Sequence, residues 1–180
     1  NKLVARLRHE HLHLYIVVRK QKFGYGHSIL EGFHWALDRG YETIVSMDAD
    51  FSHDPKEISP LIKLASTYDM AVGSRYVPGG GIKNWPVRRK LLSWFAQRYV
   101  RAVLGVDIHD STTGFMAYNR KAIQFLIALH PQSRGYAFLV ECKFALRCAG
   151  YTVAEHPIVY TERQLVKSKM SWQTIFESMW

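Results

Sequence analysis

Ile44-Val45-Ser46-Met47-Asp48-Ala49-Asp50-Phe51-Ser52-His53-Asp54-Pro55 is the stretch from which the fold is read. It begins apolar, reaches two carboxylates, and passes into Asp54-Pro55, an N-cap followed by a residue suited to a first helical position. The pattern predicts a short buried strand over 43–47, an acidic turn, and a helix over about 55–67. In extended backbone, side chains two apart share a face, so Asp48 and Asp50 are expected together at the strand's C-terminal edge. Ligands of open α/β sheets bind at that edge. Two hard oxygen donors there suit Mg²⁺ or Mn²⁺ carrying a substrate's phosphates. A bare Asp-x-Asp is equally what a solvated turn looks like, so the surrounding chain has to decide.

Upstream, His13 to Val18 alternates and then runs apolar, as a strand in a covered sheet does. Phe23-Gly24-Tyr25-Gly26 reads as a glycine-punctuated turn. Ile29, Leu30, Phe33, Ala36 and Leu37 then fall at helical spacing over 27–39, with Gly40 as the stop. Downstream, 69–74 is another short strand. Strands alternating with helices over short connections predict a mostly parallel sheet with helices on both faces. No Walker lysine–serine pair and no full Gly-x-Gly-x-x-Gly is present, which disfavours a P-loop or a dinucleotide fold.

Beyond Ser74 the regularity breaks. Pro78-Gly79-Gly80-Gly81 reads as a mobile loop, and Trp85-Pro86 precedes a helix over about 87–104 that stops at Gly105. On a helical wheel Leu92, Phe95, Ala96, Tyr99 and Val103 make one apolar face, with Lys90, Arg98, Arg101 and Trp94 opposite and Arg89 and Ser93 on a flank. A tryptophan within the basic side points that side towards a membrane surface or lipid headgroups. Asp110-Ser111-Thr112-Thr113-Gly114-Phe115 is dense in small polar groups that suit either hydroxyl recognition or a capping turn. A strand near 115–118, a helix over 138–149 with Glu141 near its start, and a strand over 151–160 follow. A basic loop then carries Arg163, Lys167 and Lys169, and an amphipathic helix is expected over 171–180.

At 180 residues and 48% hydrophobic, the chain can bury one substantial core. It opens on what reads as the tail of a helix, so it is expected to be a fragment lacking its first strand or strands. No run of 18 apolar residues is present, so no segment of the sequence is predicted to span a membrane. The net charge of +9 predicts an anionic partner, and it is uneven: no acid lies between Asp69 and Asp107, where Arg75, Lys83, Arg88, Arg89, Lys90, Arg98 and Arg101 all fall. Cys142 and Cys148 sit on one predicted helix about 9 Å apart along its axis, too far to bridge, which fits a reducing cytosol.

Together these motifs resemble the polyprenol-phosphate (dolichol-phosphate) mannosyltransferases, inverting glycosyltransferases of GT-A fold. The likeness rests on Met47 to Pro55, Val72-Gly73-Ser74-Arg75-Tyr76, Trp85 through Arg89 to Ser93, and Asp110 to Phe115. Gly135-Tyr136-Ala137-Phe138 with Glu141, and Arg163 with Ser168-Lys169-Met170, complete it in order from about residue 15 to 171. The resemblance implies a catalytic domain over 1–170 and a membrane-associated helix beginning at 171–180. It implies that Asp48 and Asp50 organise the metal and the donor diphosphate, with Ser52 at the metal's edge and Asp110 and Gly114 on the donor side. Arg75, Arg89 and Ser93 would hold the acceptor phosphate, and Arg163 and Lys169 would close over the phosphates. The family's closing loop usually carries glycine three residues after the arginine; this chain has Val166.

The implied reaction is mannosyl transfer from GDP-mannose to a polyprenyl phosphate with inversion, at the cytoplasmic face of a membrane, with a membrane-anchoring subunit or C-terminal membrane helices as possible companions. A phosphate monoester has a second pKa of about 6, so the nucleophile is largely deprotonated near neutral pH and no strong base is required. The obstacle is repulsion between two polyanions, about 4 kcal/mol for each pair of like charges 4 Å apart at an effective dielectric of 20. A divalent ion and arginines offset it, with Glu141 as the one candidate base. The alternatives are a glucosyl or amino-sugar transferase using a UDP-sugar, and a non-catalytic domain binding an anionic membrane or nucleic acid. The Asp48/Asp50 pair disfavours nucleic acid, since two carboxylates repel its backbone.

Overall fold

The computed structural model describes residues 6–7, 10, 13–19, 21, 24–133 and 135–162. Its elements are α1 (Tyr25–Asp38), β1 (Thr43–Ser46), a 3-10 turn (Pro55–Glu57) running into α2 (Ile58–Ala65), β2 (Met70–Ser74) and β3 (Gly81–Lys83). They continue with α3 (Val87–Leu104), β4 (Met116–Asn119), α4 (Arg120–Leu129), α5 (Tyr136–Cys148), β5 (Val153–Pro157) and β6 (Val159–Thr161).

Four strands form one sheet in the order β1-β4-β2-β5. β2 and β5 pair in parallel, while β4 runs antiparallel to both of its neighbours. β1, β2 and β5 therefore share a direction, with β4 reversed between the first two. The expected parallel sheet holds for strand direction, and the pairing is mixed. The reason lies in α3: no residue of 87–104 belongs to either hydrophobic core, so this helix is not a crossover laid on the sheet. The chain returns to the sheet through the irregular 105–115 segment instead, and is free to enter antiparallel.

Strand alternation divides the core between two faces. Met70, Val72, Met116 and Tyr118 pack against Leu30 and Phe33 of α1, Ile123 and Leu126 of α4, and Phe138, Leu139 and Leu146 of α5. Ala71, Phe115 and Ala117 pack against Leu61 and Ala65 of α2 and against Ile158. Helices cover both faces, as the α/β pattern requires.

Three local expectations change. Residues 14–19 form no strand, because apolar alternation makes a strand only where a neighbour pairs with it; Val18 is 85% exposed. α1 already contains Gly26, where an added Cβ would come 2.5 Å from the Phe138 ring, so this glycine serves close packing of α1 on α5. The Pro78–Gly81 stretch is a folded turn rather than a mobile loop. The Gly80 N–H donates to Val77 O, the Gly81 N–H donates to Ile158 O, and β3 pairs in parallel with β6. A Cβ on Gly80 would lie 2.6 Å from Ser74 O.

Candidate active site

β1 ends at Ser46, and the chain bends over 49–53 with Phe51 at a left-handed φ of 63°. The bend, rather than strand alternation, sets the two carboxylates. Both lie within electrostatic reach of the buried His53 ring, and Asp48 also acts on the Tyr25 phenol. Asp50 Oδ1 accepts from the Ser52 N–H at 3.0 Å and from the Ser52 hydroxyl at 2.5 Å. Ser52, expected at a metal's edge, thus turns its hydroxyl to Asp50 and fixes that carboxylate's orientation. Its carbonyl accepts from the Thr161 N–H, tying the acidic turn to β6. Asp54 caps the following turn through the Lys56 N–H with Pro55 behind it, as the sequence predicts.

His53 packs 4.8 Å from the Phe115 ring centroid and 5.5 Å from that of Tyr160. Burial pushes its pKa below the usual value, with Asp48 opposing. Among the described residues no third carboxylate, histidine or cysteine joins Asp48 and Asp50 as a cation site. Two carboxylates alone fit Mg²⁺ or Mn²⁺, which keep most of their shell for water and substrate phosphates.

The 110–114 loop lies beside this turn. Ser46 Oγ donates to Gly114 O at 2.7 Å, and a Cβ on Gly114 would meet the Tyr25 hydroxyl at 2.6 Å. Asp110 is fully buried. Its Oδ2 accepts from the Arg75 N–H and Nε, and its Oδ1 from Arg75 Nη2 and the Thr113 N–H. Arg75 Nη2 also donates to Thr112 Oγ1. Burial alone would raise the Asp110 pKa, but the Arg75 charge outweighs it and holds the carboxyl below its usual range. Burial would likewise lower Arg75, and Asp110 outweighs it to raise the guanidinium. Arg75, expected at an acceptor phosphate, and Asp110, expected on the donor side, are each other's partner here, with side chains 8% and 0% exposed.

Three elements grip the same loop. From α5, the buried Lys143 donates its Nζ to Ser111 O and Thr113 O. Burial pushes its pKa down to about 8, with Asp110 opposing. From α3, Gln97 Oε1 accepts from the Ser111 N–H and hydroxyl, and its Nε2 donates to Thr112 Oγ1. From β5, Glu155 accepts from the N–H groups of His109 and Asp110.

Arg89, Ser93 and Gln97 recur at four-residue spacing on α3, and each has its partner in the body of the protein. The Arg89 guanidinium stacks 3.8 Å over the Trp85 ring and donates through Nη1 to both oxygens of Glu162 at 2.7 Å. The Ser93 hydroxyl bonds the Tyr76 hydroxyl at 2.6 Å. Leu92, Phe95, Tyr99 and Val103 are exposed, Phe95 to 61%. Lys90, Trp94 and Arg98 are exposed as expected, but the apolar stripe is exposed beside them: α3 turns its Arg89–Ser93–Gln97 flank inward, because the Ser111–Thr112 backbone and hydroxyls need polar partners beneath them. Glu141, the candidate base, accepts instead from the N–H groups of Gln132 and Ser133 and holds the turn before α5. Arg163, Val166 and Lys169 lie outside the described residues.

Lys143, Gln97, Glu155 and Glu162 are functional-site neighbours that sequence reasoning missed. Lys143 carried a signal, a charge between Leu139 and Leu146 on an apolar helix face. Gln97 continues the spacing of Arg89 and Ser93. Glu155 and Glu162 carried none.

The family model described as Glycosyl transferase family 2 matches residues 2–126. A polyprenol monophosphomannose synthase of Mycolicibacterium smegmatis is 44% identical over 167 residues, 92% of this chain and 63% of that protein. An undecaprenyl-phosphate mannosyltransferase of Micrococcus luteus is 38% identical over 166 residues, 92% of this chain and 68% of that protein. The chain thus spans about two thirds of the length of these relatives. Among solved structures, glucosyl-3-phosphoglycerate synthase of M. tuberculosis superposes with a TM-score of 0.54 at 16% identity, over 91% of this chain and 53% of that one. The same enzyme with Mn²⁺, UDP-glucose and glycerol 3-phosphate gives 0.50 at 15% identity, over the same 91% and 53%. At such identities the likeness speaks for the fold alone.

Proposed function

The chain belongs to glycosyl transferase family 2, and on that premise we propose that it transfers a mannosyl residue from GDP-mannose to a polyprenyl phosphate with inversion. The names of its relatives support the lipid-phosphate acceptor and the mannosyl group. The observation that carries the reading is α3, whose two sides match the two ends of an amphiphile. Its inward side offers Arg89 and Ser93, one turn apart, to a phosphate. Its outward stripe of Leu92, Phe95, Tyr99 and Val103 offers apolar surface to lipid. No helix among the described residues is long and apolar enough to cross a membrane. The proposed membrane contact is the α3 stripe lying in the membrane surface.

In this reading Asp48 and Asp50 are the residues that would hold Mg²⁺ or Mn²⁺ at the donor's diphosphate end, and Ser52 keeps Asp50 aimed. The dication, when bound, neutralises charge that builds on the leaving nucleoside diphosphate. Arg89 and Ser93 orient the acceptor phosphate so that one of its oxygens attacks the anomeric carbon from the face opposite the leaving group. That oxygen is already largely deprotonated, its second pKa being about 6, so no side chain takes its proton. His53 is enclosed by rings and Glu141 is engaged by backbone, which accords with a site lacking a base. The Arg75–Asp110 pair acts from beneath by fixing the 110–114 loop beside β1. Arg163 and Lys169 are the further cations proposed to meet the phosphates.

The test is turnover with farnesyl phosphate and Mn²⁺, comparing GDP-mannose with UDP-glucose and UDP-N-acetylglucosamine. Transfer from GDP-mannose is expected; transfer from a UDP-sugar alone would overturn the donor assignment. Arg89→Ala is expected to raise the KM for farnesyl phosphate well above any change in the KM for GDP-mannose. Equal changes would remove Arg89 from the acceptor site.

A further inference from the structure

Given the acceptor role proposed for Arg89, on which this rests, we infer that Glu162 occupies the acceptor-phosphate seat on Arg89 until the acceptor displaces it, and so sets the affinity for that phosphate. Both oxygens of Glu162 lie 2.7 Å from one nitrogen, Arg89 Nη1. That is a poorer match than the two-nitrogen fork Arg75 makes with Asp110, where Nε meets Oδ2 and Nη2 meets Oδ1, each at 2.7 Å.

Exposure points the same way. The side chains of Arg89 and Glu162 are 24% and 21% exposed, against 8% and 0% for Arg75 and Asp110. Water can solvate Glu162 as it leaves, so exchange is cheap here and prohibitive at the sealed pair. The two partners also differ in how firmly each is held. Arg89 is clamped over the Trp85 ring at 3.8 Å, on a regular helix. Glu162 follows the last residue of β6, and its N–H reaches Lys83 O at 3.4 Å, a long bond. In the exchange proposed, the carboxylate is the group that moves and the guanidinium the one that stays.

Charge supplies the direction. A phosphate monoester carries about −1.5 to −2 near neutral pH against −1 for the carboxylate, so it gains more from Arg89 than Glu162 loses. Weak anions gain nothing by the exchange, and the seat is kept from them.

The experiment is calorimetric titration of farnesyl phosphate, in detergent, into the protein and its Glu162→Gln, Glu162→Ala and Arg89→Ala variants, with inorganic phosphate as a competitor. Removing the seated carboxylate is expected to tighten farnesyl phosphate roughly fivefold to tenfold in both Glu162 variants. Inorganic phosphate is expected to become a stronger competitor by the same factor, with the KM for GDP-mannose unchanged. Weaker or unchanged binding in both Glu162 variants, with Arg89→Ala weak, overturns the role of Glu162 and leaves the acceptor site standing. Equal binding by wild type and Arg89→Ala overturns the acceptor site itself, and the role of Glu162 with it.

Discussion

Two arginine–carboxylate pairs stand near the acidic turn, and they are opposites in everything but chemistry. Arg75 and Asp110 form a fork–fork pair beneath the surface, with Thr112, Thr113 and the Arg75 backbone using the remaining oxygens and protons. Arg89 and Glu162 meet through one nitrogen in a partly open position. A buried pair is costly to assemble and more costly to break, because removing one partner leaves a charge without solvent. An open pair contributes little and is easily exchanged. In the proposed reading burial separates an arginine of the architecture from one that meets ligand, although both sit in the same acid-free segment of sequence.

The strongest way to break this contrast is Asp110→Asn. It leaves Arg75 charged in a buried position and turns one of the two accepting oxygens into an N–H donor facing Arg75. The expected loss of folding stability is about 3–5 kcal/mol, read from the shift of a urea or guanidinium midpoint. A loss below about 1 kcal/mol would place the pair with ordinary surface salt bridges and dissolve the distinction.

A second buried cation sharpens it. Among the described residues Lys143 has no ion-pair partner of its own, its ammonium resting on the carbonyls of Ser111 and Thr113. Burial lowers its pKa from 10.5 to about 8, so between those values the folded protein holds fewer protons than the unfolded chain. Stability contributed by this group therefore rises with pH across that window, and below about pH 8 the full cost of burying the charge is present. Replacing it by methionine removes that cost together with both hydrogen bonds. The wild-type protein should thus gain stability relative to Lys143→Met as pH goes from 8 towards 10. Chemical denaturation of both proteins at pH 7.5 and pH 9.5 (chosen to bracket about one proton's titration) checks the sign, and parallel behaviour would mean that the lysine titrates outside the window. Cys142, pushed up to about 12 by burial, is common to both proteins and cancels in the difference.

Much of the fold was legible because it followed local rules. Gly105 does end α3 in a left-handed conformation, Asp54 does cap the turn after the aspartates, and apolar spacing does bury one face of α1 and of α2. What failed was non-local. His13 to Val18 reads as a strand, but ladder partners are not written in the segment itself. The wheel of α3 gives the stripe of Leu92, Phe95, Tyr99 and Val103 correctly, yet which side faces inward was decided by the hydrogen-bonding demand of Ser111 and Thr112, fourteen or more residues away from Gln97. The site divides similarly. Asp48, Asp50, Arg89 and Ser93 carry type-and-spacing signals. That Arg75 and Asp110 would neutralise each other across 35 residues was invisible, as was the contact of Glu162 with Arg89 across 73.

The smallest expected effect on stability bears most directly on function. Arg89→Ala breaks the open pair, and because both groups retain access to water the cost should lie within about 1 kcal/mol, some of it from lost stacking on Trp85 rather than lost charge. The same substitution removes the cation proposed to seat the acceptor, and a charge-assisted bond of that kind contributes about 1.5–3 kcal/mol, roughly one to two decades in affinity. Stability and acceptor KM should therefore separate in Arg89→Ala, with an almost unchanged midpoint and a much higher KM for farnesyl phosphate. In Asp110→Asn they should fall together, because the loop and the fold fail at once. If Arg89→Ala instead unfolds as readily as Asp110→Asn, then Arg89 is held for architecture too, and exposure would not be what separates the two pairs.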